Sequence, residues 1–272
     1  MKYKLLALDI DGTLLNGKSE LTPRTKSAVL RAKQRVEVIL ATGRRLTNTL
    51  PLVKELGLQA PVVVHNGAVL YDPSSGKTLS QWGIDLHLAR EIVDKLDSRG
   101  INYIVYTGES RGEQVLAPLG SWQEPEDLLT HYLGEQVDFV ERVTLAAPPV
   151  RISVIDRTGE VDSFSEELNS KYGGMLNALV FGTERNIWRG IEMIPADCNK
   201  GAGLATVVES LGFGAEDVVA IGDNINDLEM IAWAGLGIAM ENGSSQLKAT
   251  AKRIAPRHDQ DGVAQIIEEL LF

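Results

Sequence analysis

The chain alternates short, unbroken apolar runs with longer segments whose apolar residues recur every three or four positions. The first pattern suits strands buried on both faces and the second suits amphipathic helices, so their alternation predicts a parallel sheet covered by helices. "YKLLALDI" predicts a first strand, "TPRTKSAVLRAKQR" a helix opened by Thr22-Pro23, and "VEVILATG" a second strand. "RLTNTLPLVKELG" predicts a helix despite Pro51, and "APVVVHNGAVLYD" a strand that runs into a turn at Asn66-Gly67. From about residue 83 the pattern changes. "DLHLAREIVDKLDSRG" keeps the helical period, but "INYIVYTG" and "GEQVLAP" read as paired strands. "VRISVID", "EVDSFSEELNSKYG", "MLNALVFGT" and "NIWRGIEMIP" then follow as strand, helix, strand, strand, the order of an α+β unit with an antiparallel sheet. The first pattern returns with "NKGAGLATVVESLG" as helix, "DVVAIGD" as strand, "NDLEMIAWAG" as helix, "LGIAME" as strand and two closing helical segments. The expected fold class is therefore α/β: a doubly wound parallel-sheet core, discontinuous at 1–82 and 190–272, with an α+β domain inserted at 83–189. No internal repeat or low-complexity tract interrupts it.

Composition supports this division. A chain of 272 residues, 44% of them hydrophobic, can bury one large or two medium cores, and two fits the change of pattern. The 27 Lys and Arg against 37 Asp and Glu leave a formal net charge of −10, which argues against a nucleic-acid binder, because neutralising backbone phosphates needs a basic surface. An anionic ligand must then be held by a local site. Cys198 is the single cysteine, so no internal disulfide framework exists; with no histidine nearby in sequence it reads as a small buried hydrophobe rather than a nucleophile. The apolar run near the N-terminus is too short for a secretory leader, and no stretch reaches the ~18–20 apolar residues of a membrane span. A cytoplasmic protein with no membrane partner is expected.

In open parallel α/β sheets, ligands bind outside the carboxyl ends of the strands, so the residues just after each apolar run carry the chemistry. "LLALDIDGTLLNG" ends its strand in Asp9, Asp11 and Thr13; "ILATGRR" delivers Thr42, Gly43, Arg44 and Arg45; "DVVAIGDNIND" delivers Asp223, Asn226 and Asp227; and Lys200 opens the helix of "CNKGAGL". Carboxylates inside apolar runs need a partner. Asp9, Asp11 and Asp223 converging in one crevice would repel by several kcal/mol at interior dielectric, and a hard divalent cation resolves that repulsion. Mg²⁺, which prefers oxygen ligands and pairs a few carboxylates with a substrate phosphate, is the natural candidate. A phosphate explains the remaining donors: the Thr42 hydroxyl, the Lys200 ammonium, the Asn226 amide and the backbone N–H groups around Gly12 and Gly43.

Plainer readings stand beside these. Alone, Lys200 is a solvated helix-start lysine and Thr42 a helix N-cap. Asn66 in "HNGA" is a type I′ turn residue, His65 a packed or hydrogen-bonded histidine, and Arg44 and Arg45 either substrate-facing or ion-paired at the surface. "GAGLATVV" has Thr206 where a dinucleotide loop needs its third glycine. The 4 Trp residues are too scattered for a base-stacking platform.

Taken in order, "DIDGTLL", "ATGR", Lys200 in "NKG" and "GDNIND" resemble the signature elements of the haloacid dehalogenase superfamily of aspartate-nucleophile phosphotransferases. The insert after the Thr motif, the "HNGA" turn and the closing "GIAMENG", "LKATAK" and "DGVAQII" resemble its Cof-type branch with a large α/β cap. The resemblance spans the core, Rossmann-like in that family, and matches the cap in position and length. It implies a Mg²⁺-dependent phosphomonoester hydrolase acting on a small phosphorylated metabolite, a sugar phosphate or phosphorylated cofactor, through an aspartyl-phosphate. Asp9 would be the nucleophile and Asp11 the general acid and base, its carbonyl also on the metal. Asp223 would complete the metal ligands, with Asp227 helping from the same loop through water or by orienting Lys200. Thr42, Gly43, Lys200 and Asn226 would hold the phosphoryl group, and Asn66 would touch substrate. Cap residues Tyr103, Tyr106, Arg185, Trp188 and Arg189 offer themselves as contacts. A phosphomutase of the same superfamily would differ in retaining phosphate on an isomerised sugar. A receiver-like phospho-acceptor module would be about half this length, with adjacent acids at its first strand end and its acceptor on a later strand.

Overall fold

The computed structural model describes residues 2–108, 113–119, 137–182 and 188–271, and the chain divides into two compact units, Met1–Ser80 with Asn199–Phe272, and Gln81–Cys198. In the first unit, β1 (Leu5–Leu8) is central, and all of its residues are buried. It pairs in parallel with β2 (Glu37–Leu40) on one side and β12 (Val218–Gly222) on the other. Beyond β12 lie β13 (Leu236–Met240) and β14 (Arg253–Ala255), also parallel. This is the expected parallel core, and its strands are continuous apolar runs because helices cover both faces. On one face Leu5, Ala7, Ile39, Ala41, Val218, Ala220 and Ala239 pack against α5 (Lys200–Ser210), α6 (Leu228–Trp233) and α7 (Ser245–Thr250). On the other, α8 (Gly262–Leu271) lays Ile266 and Ile267 over Leu6 and Val219, with α1 (Pro23–Ala32) alongside it.

Past β2 the sheet continues differently from the expectation of one strand. A single parallel bridge, Ala41 to Val63, joins β3 (Val62–Val64), which folds back on β4 (Val69–Asp72) as an antiparallel hairpin, with β5 (Lys77–Gln81) next to β4. Local chemistry sets the helix ends. The Thr22 hydroxyl accepts the Thr25 N–H ahead of Pro23 in α1. Between β2 and β3, α2 (Leu46–Leu56) stops at Gly57, whose φ of 59° is left-handed.

The second unit is a six-stranded sheet in the order β10-β11-β9-β6-β7-β8: β6 (Tyr103–Tyr106), β7 (Val115–Pro118), β8 (Asp138–Val140), β9 (Arg151–Arg157), β10 (Leu176–Phe181) and β11 (Trp188–Pro195). Neighbours are antiparallel except β7 and β8. α3 (Leu86–Arg99) and α4 (Thr158–Tyr172) cover one face through Leu88, Ile92, Leu96, Val161, Phe164 and Leu168. β11 runs through position 190, because it pairs with β9 from Trp188 to Met193. Strand alternation also sorts the offered cap contacts. Tyr103 faces the helices, fully buried, its hydroxyl donating to Asp97 at 2.7 Å, so it is core rather than a contact. Arg189 pairs with Asp162 of α4. Tyr106 lies on the opposite face under the Arg151 guanidinium, 3.8 Å from its ring centre. Arg185 and the Trp188 side chain lie outside the described residues. Among the described residues no helix is long and apolar enough to cross a membrane.

Candidate active site

The chain leaves β1 for β2 on one side and meets β12 on the other, so a topological switch point, with a crevice outside the carboxyl ends, falls between β1 and β12. Asp9 and Asp223 are the residues that follow those strands. The loop after Asp9 turns at Gly12, φ 79°, and a Cβ there would overlap the Asp223 carboxylate, so conformation and space both require glycine. The Thr13 hydroxyl donates to Asp223 Oδ1 at 3.1 Å.

Lys200 arrives from a helix start capped by Asn199, whose side chain accepts the Ala202 N–H at 2.8 Å. Gly67, φ 97°, sits where a Cβ would strike the Asn199 carbonyl, which is how the turn after β3 and the start of α5 approach so closely. Lys200 is 1% exposed, and its ammonium lies 2.6 Å from Asp9 Oδ1 and 2.6 Å from Asp227 Oδ1. Asp227 Oδ2 accepts the N–H groups of Asp223 at 2.9 Å and Asn224 at 3.0 Å, so each of its oxygens already has work. One ligand oxygen from each of Asp9, Asp223 and Asp227 falls within 4.8 Å of the others.

The other expected phosphate and substrate residues form a second cluster. Asn226 donates through Nδ2 to Asn66 Oδ1 at 2.9 Å, and the Asn66 N–H reaches the Thr42 carbonyl at 3.0 Å. Gly43 packs beside the Asn66 amide, leaving no slack for a side chain there. The Ala68 N–H closes a turn on the His65 carbonyl at 3.1 Å, and its two central residues, Asn66 and Gly67, carry the positive φ, 52° and 97°, that a type I′ turn demands. His65, φ 49°, is left-handed as well, which is strained backbone for a non-glycine residue, and its N–H donates to the Arg44 carbonyl at 3.0 Å. Thr42 is not a helix N-cap: Arg45 occupies that position, and the Thr42 hydroxyl accepts the Arg44 N–H at 3.1 Å. Buried Arg45 turns its Nε to Asn48.

Asp11 stands apart from the buried carboxylates. Its side chain is 56% exposed and takes both prongs of the Arg44 guanidinium, at 2.7 and 2.5 Å. The sequence marks Arg44 by position but gives no signal for this partner. Asn242, which donates to the Gly12 carbonyl at 2.8 Å, lies in the "GIAMENG" segment that carries part of the resemblance, but the sequence assigns it no role.

Burial pushes Asp9 well above the usual carboxylate range; Lys200 pulls the other way without cancelling it, and Asp227 and Asp223 add to the rise. Asp223 is pushed up to about 6, first by burial and then by Asp227. Burial alone would depress the Lys200 ammonium, but Asp227 and Asp9 hold it above its ordinary value. Three carboxylates thus share one cation and are left electron-rich. Their donors are hard oxygens, so a divalent cation such as Mg²⁺ fits the set.

A model of the haloacid dehalogenase-like hydrolase family matches residues 6–267. The chain is 29% identical to the 5-amino-6-(5-phospho-D-ribitylamino)uracil phosphatase YwtE of Bacillus subtilis, with 98% of each chain covered. It is 26% identical to the pyridoxal phosphate phosphatase YbhA of Escherichia coli, again with 98% of each covered. A crystal structure of a haloacid dehalogenase-like hydrolase from Bacteroides thetaiotaomicron superposes with a TM-score of 0.84 at 26% identity, covering 99% of this chain and 100% of that one.

Proposed function

We propose, from the premise that the chain belongs to the haloacid dehalogenase-like hydrolases, that it is a Mg²⁺-dependent phosphatase of small phosphorylated metabolites working through an aspartyl-phosphate. The observation that carries this reading is the buried cluster of Asp9, Asp223 and Asp227 around Lys200 at adjacent strand ends. Asp9 is the nucleophile: one of its carboxylate oxygens attacks phosphorus in line and the ester P–O bond breaks. Asp11 delivers a proton to the departing alkoxide, then removes one from the water that attacks the phosphorus of phospho-Asp9, releasing phosphate and regenerating the carboxylate. Reaching the leaving group requires Asp11 to let go of Arg44. Lys200 and Asn226, with the Thr42 hydroxyl and the Gly43 N–H, receive the phosphoryl oxygens, and Asn66 orients Asn226 and borders the substrate.

Asp9, Asp223 and the Asp11 carbonyl would hold Mg²⁺, which supplies positive charge against the crowded carboxylates and the phosphoryl group. Asp227 supports them from the same loop by fixing Lys200 and the N–H groups of residues 223 and 224. The substrates for which the two relatives are named, a ribityl phosphate and pyridoxal phosphate, favour a phosphate on a polar metabolite or cofactor as substrate. The single, buried cysteine agrees with a cytoplasmic setting.

The test is phosphate release from sugar phosphates, pyridoxal phosphate, flavin mononucleotide and nucleotides, with Mg²⁺ or EDTA, by wild type and Asp9→Asn. The expected result is release that needs Mg²⁺ and falls at least ~10³-fold in the variant. Near-normal release by Asp9→Asn would overturn the nucleophile assignment.

A further inference from the structure

We infer that Asn242 is a positioning residue that sets the affinity of the metal site without touching the metal; the inference rests on the reading that Asp9 and Asp223 bind a divalent cation. The loop after β13 reaches both carboxylate-bearing loops at once. Asn242 Nδ2 donates to the Gly12 carbonyl at 2.8 Å, and the Ser244 N–H donates to the Asp223 carbonyl at 2.8 Å. Gly243 lies between them, so close to the Asp223 backbone that a Cβ would crowd its carbonyl. The clasp is itself anchored. Asn242 Oδ1 accepts the His258 N–H at 2.9 Å, and the His258 ring Nδ1 lies 2.8 Å from the Leu15 carbonyl, at the far end of the same Gly12 loop.

The loop needs such an anchor. Residues 10–14 leave the sheet with a left-handed Gly12, and their own closing backbone bond is Leu15 N–H to Ile10 O at 3.0 Å. Gly12 adjoins Asp11, whose carbonyl is a proposed ligand, and it lies against the Asp223 carboxylate. By pinning Gly12 on one arm and, through Ser244, Asp223 on the other, the clasp fixes the gap between ligands from two different strands. Groups that orient metal ligands from behind typically change affinity 10–100-fold when removed.

The experiment is calorimetric titration of Mg²⁺ into the metal-free protein for wild type, Asn242→Ala and the near-isosteric Asn242→Asp. It is paired with the Mg²⁺ dependence of the melting temperature and with kcat at saturating Mg²⁺. Both variants are expected to bind Mg²⁺ about tenfold or more weakly, to need correspondingly more Mg²⁺ for the same rise in melting temperature, and to recover most of kcat when saturated. Asn242→Asp, which keeps the acceptor for His258, is expected to melt in EDTA within a few degrees of wild type. Wild-type Mg²⁺ affinity in Asn242→Asp overturns the proposal, as does a loss that saturating Mg²⁺ leaves untouched. A wild-type protein that takes up no Mg²⁺ overturns the metal-site reading beneath it.

Discussion

Lys200 holds two buried carboxylates together, its ammonium 2.6 Å from Asp9 and 2.6 Å from Asp227. Lys200→Ala leaves Asp9 and Asp227 buried without their cation, a change of about 3–5 kcal/mol in stability. The loss depends on pH. Without Lys200, Asp9 rises further above the value of an unfolded aspartate, so the folded variant keeps a proton that the unfolded chain has released. Its stability then falls as pH rises through that window, and urea midpoints in EDTA should show a deficit against wild type that is larger at pH 8 than at pH 5. An equal deficit at both would mean that lost packing, not charge, dominates. At this scale the sequence was informative where an acid or hydroxyl ended an apolar run: Asp9, Thr42 and Asp223 all follow buried strands, and burial is what makes their polarity meaningful. It was silent where the partner is distant in the chain. Nothing near Arg44 points to Asp11, and nothing near Asn242 points to Gly12, because those pairings exist only after the strands have been ordered in the sheet.

Among the elements, α2 shows how a side chain from another helix can finish what a sequence leaves open. Its last turn ends in carbonyls without helical partners, and the Lys33 ammonium, just past α1, donates to the Leu56 and Gly57 carbonyls at 2.8 Å each. Lys33→Ala should lower stability by about 1–2 kcal/mol, read as a shifted urea midpoint with unchanged slope, while phosphate release by the folded fraction stays at the wild-type level. A neutral Lys33→Ala would mean that water serves those carbonyls equally well. Helix starts such as Thr22-Pro23 were legible, since cap and first turn are adjacent in sequence. The hairpin of β3 and β4 was half legible: the turn residues announced it, but the single bridge that ties β3 to the main sheet leaves no mark in the composition of either strand. β8 has only Asp138, Phe139 and Val140, too short for a periodic signal, and gains its place by lying parallel to β7.

The whole molecule is organised by one discontinuity. The change from parallel to antiparallel patterning near residue 83 was readable because the two kinds of sheet bury their strands differently. The return boundary was harder to read, since β11 belongs to the second sheet through Pro195 and its apolar residues resemble those of the strands that follow. The pairing of Leu5 with Val218 has a further consequence, and it concerns time. During synthesis β1 emerges with only one of its two neighbours, and at ~5–20 residues per second the other follows about 10–40 s later. The inserted unit is contiguous in the chain and has its own core, so it can close in that interval. Ribosome-bound chains whose exposed part ends just before β12 should therefore keep the described strands and helices of the inserted unit, β6 to β11 with α3 and α4, protected from protease while β1 to β4 are cut. Resistance spread evenly over both would mean that the half-sheet is stable alone. The last-made third of the first unit then acts as a lock: until β12 leaves the ribosome, Asp9 has been translated but lacks the neighbouring strand end that brings Asp223 beside it.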